Sequence, residues 1–319
     1  MLVFWNLWAA RRHLKAVWQK AIGRDTPLDD FEEMIGYRPA LIGLMLSVVF
    51  STSWLWRAGM GFGAACLYVF ATLVIFLGVS RIVTDVGLVF VSTPAGAQEI
   101  VIHVLGSRNL SPSSLTVLAF TNALYSYGKG LFAPALMHAA KIADLGPPSG
   151  RRRLFKGIFL AFAIGALVSV SHTLYLGYTT GAQNFKDYPF TNYSQGGFIN
   201  VLGLMKNPEP ADTLRLTLFG IGALVMSLLT LLKYRLPWWP FHPIGFAVAG
   251  VSYVHWTSVS VFIAWAIKSL ILRIGGAMLY RRYRPFFLGV LTGYTAGIGL
   301  SLLVDTIWFP GSGHTVHGY

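Results

Sequence analysis

The chain has 319 residues, 55% hydrophobic and only 12% charged, where soluble domains carry about a quarter charged residues. That balance excludes an ordinary soluble globular protein and predicts a polytopic membrane protein. The formal net charge of +13 would suit a nucleic-acid binder, but the basic residues lie between apolar blocks. Loops that stay on the cytoplasmic side of a membrane look like this, so no nucleic-acid partner is expected.

Met1 to Ala9 is apolar and aromatic but too short to span a bilayer, and it runs into Arg11, Arg12, Lys15, Lys20 and Arg24. A signal peptide has the opposite order, charges first and a small-residue cleavage site last. Two readings stand. Either these are the last turns of a transmembrane helix, which makes the chain the C-terminal part of a longer protein, or they form an interfacial anchor through Trp5, Trp8, Leu14 and Trp18. On the first reading, residues 1–36 are a partial helix and cytoplasmic linker, and residues 37–319 are one transmembrane domain of about nine segments. The chain is then an incomplete transporter unit whose partner is a missing N-terminal half, or a second copy of itself. Between Asp25 and Glu33 the linker carries five acids, read as a solvated connection.

Basic clusters set the orientation. Arg11 to Arg24, Arg81, the Arg151–Lys156 loop, Lys233 with Arg235, and Arg281 to Arg284 are expected on the cytoplasmic side. Apolar runs thread between them: Pro39–Trp56, Met60–Ser80, Leu154–Tyr178, Leu214–Leu232, Pro240–Trp256, Ser258–Ile274 and Pro285–Ile307. The C-terminus then lies outside. The connection from Gly181 to Asp212 is external and aromatic, either a lid or a short interfacial helix packed on the rim.

Two apolar segments are broken in the middle by Pro and Gly: Ile82–Leu105 at Ser92 to Gly96, and Leu115–Ala140 at Gly128 to Gly130. Backbone leaves the helix at membrane depth only where protein or a water-filled cavity satisfies it, and paired discontinuous helices point to a transport site near the midplane. Glu99 and His103 follow the first break on one helix face. Thr93 is placed to cap that helix and Pro94 to open it, and N–H groups freed near Gly96 would attract an anionic group. An ionisable group at a helix centre costs about 2.5–3.5 kcal/mol and so reads as functional. The competing reading is a Glu–His bond that ties two helices together.

Lys129 sits between two glycines at the second break, placed to pair with Glu99 or to bind a carboxylate. Arg81 and Asp85, one turn apart, read as an interfacial salt bridge or a gate. Lys268 interrupts an apolar helix, and snorkelling of its ammonium is the simpler account. His138, His172, His242 and His255 stand alone among apolar residues and read as packing. The lone Cys66 excludes an intrachain disulfide and a multi-cysteine metal site. No His-Glu-x-x-His, Gly-x-Ser-x-Gly or phosphate-loop motif occurs, so neither an enzyme nor a cofactor is expected.

Four stretches carry a family resemblance: Ser80-Arg81-Ile82-Val83 with Pro94-Ala95-Gly96, Trp238 to Phe246, Tyr280 to Gly289, and Trp308 to His314. They resemble an uncharacterised prokaryotic family described as similar to oligopeptide (OPT) transporters, matching the C-terminal half of a typical member. The resemblance implies an all-α carrier in the cytoplasmic membrane that moves peptides or metal chelates with protons. The Asn-Pro-Gly and Lys-Ile-Pro-Pro-Arg motifs of better-known OPT members are missing, and no binding residue carries over by motif. The expectation is an all-α transmembrane bundle with discontinuous or re-entrant helices, acting on a peptide or small-molecule substrate among membrane lipids. A non-transporting subunit or scaffold of a larger complex is the alternative.

Overall fold

A computed structural model describes residues 1–30, 33–87, 91, 95–122, 132–143, 148–184 and 192–309. Among the described residues there are twelve α-helices and no strand. In chain order they are α1 (Leu2–Ala9), α2 (Arg11–Ala21), α3 (Tyr37–Arg57), α4 (Phe62–Val86), α5 (Ala97–Leu105) and α6 (Pro112–Thr121). After these come α7 (Phe132–Ala143), α8 (Pro148–Leu176), α9 (Asn192–Lys206), α10 (Thr213–Arg235), α11 (Pro243–Val248) and α12 (Ser252–Trp308). Five stretches are long and apolar enough to cross a membrane: Tyr37–Arg57, Phe62–Val86, Gly150–Asn184, Thr213–Arg235 and Val254–Trp308. Within the most apolar part of the third, no residue is buried in the protein. Phe50, Leu167 and Phe219 likewise point outward from α3, α8 and α10. Faces of this kind suit hydrocarbon and are a liability in water. The chain is all-α, with an architecture compatible with a multi-pass membrane protein.

The chain forms two compact units, Met1–Tyr253 and Val254–Tyr319. The first is organised around α4. Its core joins Ala64, Ala65 and Tyr68 of α4 to Ala97 and Val101 of α5, Leu115, Leu118 and Ala119 of α6, and Val201 of α9. Small residues at these contacts let helix backbones approach closely, the usual solution where lipid removes the hydrophobic drive between helices. The α3–α4 turn is pinned to α6 by Ser114, whose Oγ accepts the Gly61 N–H at 2.9 Å. At the start of the chain α1 packs on α4, and Trp5 lies 5.7 Å from the ring of Tyr234 on α10.

Several expected boundaries move. Ile82 does not open a new segment: α4 continues to Val86 and stops at Gly87, which adopts φ 74°. The positive φ is one that glycine tolerates and that ends a helix. The next helix begins at Ala97 with Gly96 as its N-cap, so the cap is not at Thr93; Thr93 and Pro94 lie outside the described residues. The second broken segment is helical at Pro112–Thr121 and again at Phe132–Ala143, while Lys129 and its flanking glycines lie outside the described residues. Arg151 to Lys156 are not a loop but the opening turns of α8.

Pro240–Trp256 is not one crossing. His242 caps a six-residue helix, accepting the Ile244 N–H on Nδ1, with Pro243 at the first helical position. The chain leaves that helix at Ala249 and re-enters at Ser252. The Gly181–Asp212 connection contains a helix, α9, which packs against α6. In the second unit the break falls at Gly276 (φ 62°, ψ −161°), and Arg281 to Arg284 with Pro285 continue the helix where a loop was expected.

Candidate functional site

The α5 helix is short because glycine stands at both ends, Gly96 in extended backbone and Gly106 at φ 77°. Gly106 has a second constraint. A Cβ there would stand 2.5 Å from the backbone nitrogen of Ala211 and 2.6 Å from the carbonyl carbon of Pro210. Only glycine lets the 207–212 connection come this close. Three hydrogen bonds then hold that connection: Arg108 N–H to the Glu209 carbonyl (3.0 Å), Asp212 N–H to the His103 carbonyl (3.0 Å), and Glu209 N–H to Ser107 Oγ (2.9 Å).

This strap sets three side chains at the end of α5. Asp212 is the N-cap of α10, its Oδ1 accepting the Arg215 N–H at 2.9 Å. Its Oδ2 receives Arg215 Nε at 3.1 Å. Arg215 Nη1 donates to His103 Nε2 at 2.7 Å. A guanidinium has donors only, so Nε2 must accept. That places the imidazole proton on Nδ1, which faces Asp212 Oδ2 at 4.0 Å. A neutral histidine is thus held between an aspartate and an arginine.

The three residues line a cavity of about 500 Å³ enclosed by α5, α6, α9 and the strap. Glu99 lies one turn from His103 on the same wall, exposed to the cavity, with no hydrogen bond or ion pair among the described residues. Gln98 donates from Nε2 to Asn122 Oδ1 at 2.7 Å. On the opposite wall α9 contributes Gly197 and Asn200. A Cβ on Gly197 would come 2.9 Å from Asn122 Nδ2, so its lack of a side chain lets α9 lie against α6. The T-shaped pair of Phe120 and Phe198, 5.0 Å apart, closes the same contact.

Of the residues singled out in the sequence, Glu99 and His103 are brought together here. Gly96 is the N-cap of α5, and it sits under the Gln98 amide. The helix start is not left open for an anion, because Glu99 itself occupies the first turn and balances the helix dipole. Thr93 and Lys129 lie outside the described residues. Arg81 and Asp85 form an exposed 2.9 Å pair on α4 and do not line the cavity. In the second unit Lys268 places Nζ 5.6 Å from the ring centre of Tyr280, a cation–π contact. Gln98, Asn122, Asn200, Glu209, Asp212 and Arg215 line the site without having been expected there. Only Asp212 carried a sequence signal, an aspartate just before an apolar helical run.

His103 meets the first turn of α10, so the charged set lies level with one end of that helix rather than its middle. Among the described residues no group of three or more His, Cys, Asp or Glu stands close enough to hold a metal ion. A second, larger groove of about 1030 Å³ lies between α3, α4 and α6. Several of its hydroxyls, Ser47, Thr72 and Thr116 among them, donate to their own helix backbones, which leaves the groove apolar in character.

Neither a curated protein nor a solved structure matches the chain. One family model does, over residues 1–316, and by that match the chain belongs to the family of unknown function DUF6785.

Proposed function

We propose that this protein is a secondary transporter, or the solute-binding subunit of one, in a cell membrane. The observation that carries the reading is the polar cavity. In a chain with only 12% charged residues, a site of about 500 Å³ gathers Glu99, Glu209, Asp212, Arg215 and His103. Charged groups among apolar helices are expensive and mark solute or ion paths more often than packing. The resemblance to OPT transporters supports peptides or metal chelates as cargo and protons as the coupling ion. The basic clusters at α2, the start of α8 and the end of α10 support a cytoplasmic location for those ends, with the C-terminus outside.

Uptake by the full chain in proteoliposomes, screened over short peptides and metal chelates with and without a proton gradient, tests the reading. Gradient-dependent uptake that falls at least about tenfold in Glu99→Gln is the expected result. Uptake indistinguishable from empty liposomes across the panel rejects it. One observation favours a scaffold instead: Asp212, His103 and Arg215 satisfy one another and tie α5 to α10. On that reading Glu99→Gln changes no flux and Arg215→Ala loosens assembly only.

A further inference from the structure

The first 24 residues hold five basic residues and no acid. Four of the bases fall on α2, where Arg11, Leu14, Lys15, Trp18 and the C-cap Ile22 are related by steps of three or four and so share one stripe. All five are exposed, whereas on the flank of the same helix Ala21 is buried and Val17 half-buried. A helix face that meets only water is polar throughout. Bases interleaved with Leu, Trp and Ile are what a helix lying in a membrane interface presents.

The fold sets this stripe at the level of a bilayer surface. α10 is long and apolar enough to cross a membrane, and its last turn carries Lys233, an exposed Tyr234 and Arg235, the residue types found where such a helix emerges. The ring of Trp5 on α1 lies 5.7 Å from the Tyr234 ring. On α2 itself His13 stands 6.5 Å from the ring of Tyr37, the first residue of the equally membrane-length α3. Both short helices are thus held at the ends of spanning-length ones. The linker acids gather on the His13 side, where Glu33 accepts the Tyr37 hydroxyl at 3.0 Å. His13 is two residues from both Arg11 and Lys15 and so faces away from them.

Arg11 is held ready for an anion. Its guanidinium carbon lies 4.3 Å from the centre of the Trp8 ring, and Nη1 donates to the Trp8 carbonyl at 2.9 Å. A guanidinium has five N–H donors, which leaves four for phosphate oxygens. Lys15, one turn on, makes no hydrogen bond or ion pair among the described residues. We propose that the α2 stripe docks anionic phospholipids, with Arg11 and Lys15 on their phosphates and Leu14, Trp18 and Ile22 among the upper acyl chains. Lys233 and Arg235 add to the same positive field. The docking holds whether or not the chain moves a solute.

Titration of the purified full chain in uncharged detergent tests it, with dioctanoyl phosphatidylglycerol as probe and dioctanoyl phosphatidylcholine and inorganic phosphate as controls. The anionic lipid is expected to bind more tightly than either control, and less tightly as salt is added. The double variant Arg11→Gln/Lys15→Gln should weaken its binding at least about tenfold, since each base near an anionic surface is worth about fivefold. Arg57→Gln, at the opposite end of α3, should leave it unchanged. Gln19→Lys, which adds a base one turn beyond Lys15, should tighten it severalfold, and it decides the matter if the double variant lowers the melting temperature. Equal affinity for the two lipids, phosphate binding as strong as the lipid's, or a folded double variant with unchanged affinity overturns the proposal. So does a Gln19→Lys protein that binds no more tightly, and the stripe is then a contact for another polypeptide.

Discussion

The hydroxyl of Ser107 accepts the backbone N–H of Glu209 at 2.9 Å, across 102 positions of sequence. Ser107 is 3% exposed, so water does not compete for this bond. Through it the 207–212 connection is registered against the end of α5, and Asp212 and Arg215 are placed over His103.

Gly106 bears the tightest approach in that strap, and its replacement is expected to cost more than an ordinary glycine substitution. Gly106→Ala meets both a positive φ and the Ala211 backbone, about 2–3 kcal/mol together. Gly87 makes the control, because it has φ 74° with nothing within 4 Å among the described residues, so Gly87→Ala should cost only about 1 kcal/mol. Denaturant melts of the two variants in detergent compare them. Equal losses would show that the close approach contributes nothing.

Asp212 has two roles of unequal weight. Its capping bond to the Arg215 N–H is worth about 1 kcal/mol. Its ion pair engages an arginine side chain that is 65% exposed, and pairs of that kind contribute less than about 1 kcal/mol. Asp212→Asn keeps an oxygen for the cap and should retain most stability, while Asp212→Ala should not. If the asparagine variant melts as early as the alanine one, the ion pair outweighs the cap.

Ser114 is 1% exposed and joins α6 to the α3–α4 turn. Ser114→Ala removes the acceptor of the Gly61 N–H and a partner of Ser111 Oγ at 2.8 Å. A loss of about 1–2 kcal/mol is expected, read by hydrogen exchange at Gly61 as well as by global melting. Unchanged exchange at that amide would mean that water already replaces the hydroxyl.

The proposed orientation is open to labelling on intact cells. In a Cys66→Ser background, an impermeant maleimide should react with Asn207→Cys and spare Arg153→Cys until the membrane is opened. Both positions are exposed in the protein, so access reports sidedness. The opposite pattern inverts the topology.

Much of the helical layout was legible because hydropathy is a local property. The runs read as Pro39–Trp56, Leu154–Tyr178 and Leu214–Leu232 correspond to α3, α8 and α10 within a few residues at most ends. The face shared by Glu99 and His103 was legible for the same reason, since it follows from helical spacing. Their neighbours were not. Arg215 lies 112 positions from His103, and no periodicity reports a pairing made by tertiary contact. The break at Gly276 was hidden differently: three arginines and a proline nearby suggested a loop at 281–285, yet the helix carries them and turns at the glycine before them.

The strap across Gly106 is made of main-chain atoms and one serine hydroxyl. Such a fastening is almost indifferent to which side chains the 207–211 stretch carries, so that stretch is free to drift over evolutionary time. Glycine at position 106 is not free in the same way. Across relatives the mark of this site would be a solitary fixed glycine facing a variable loop about a hundred residues downstream.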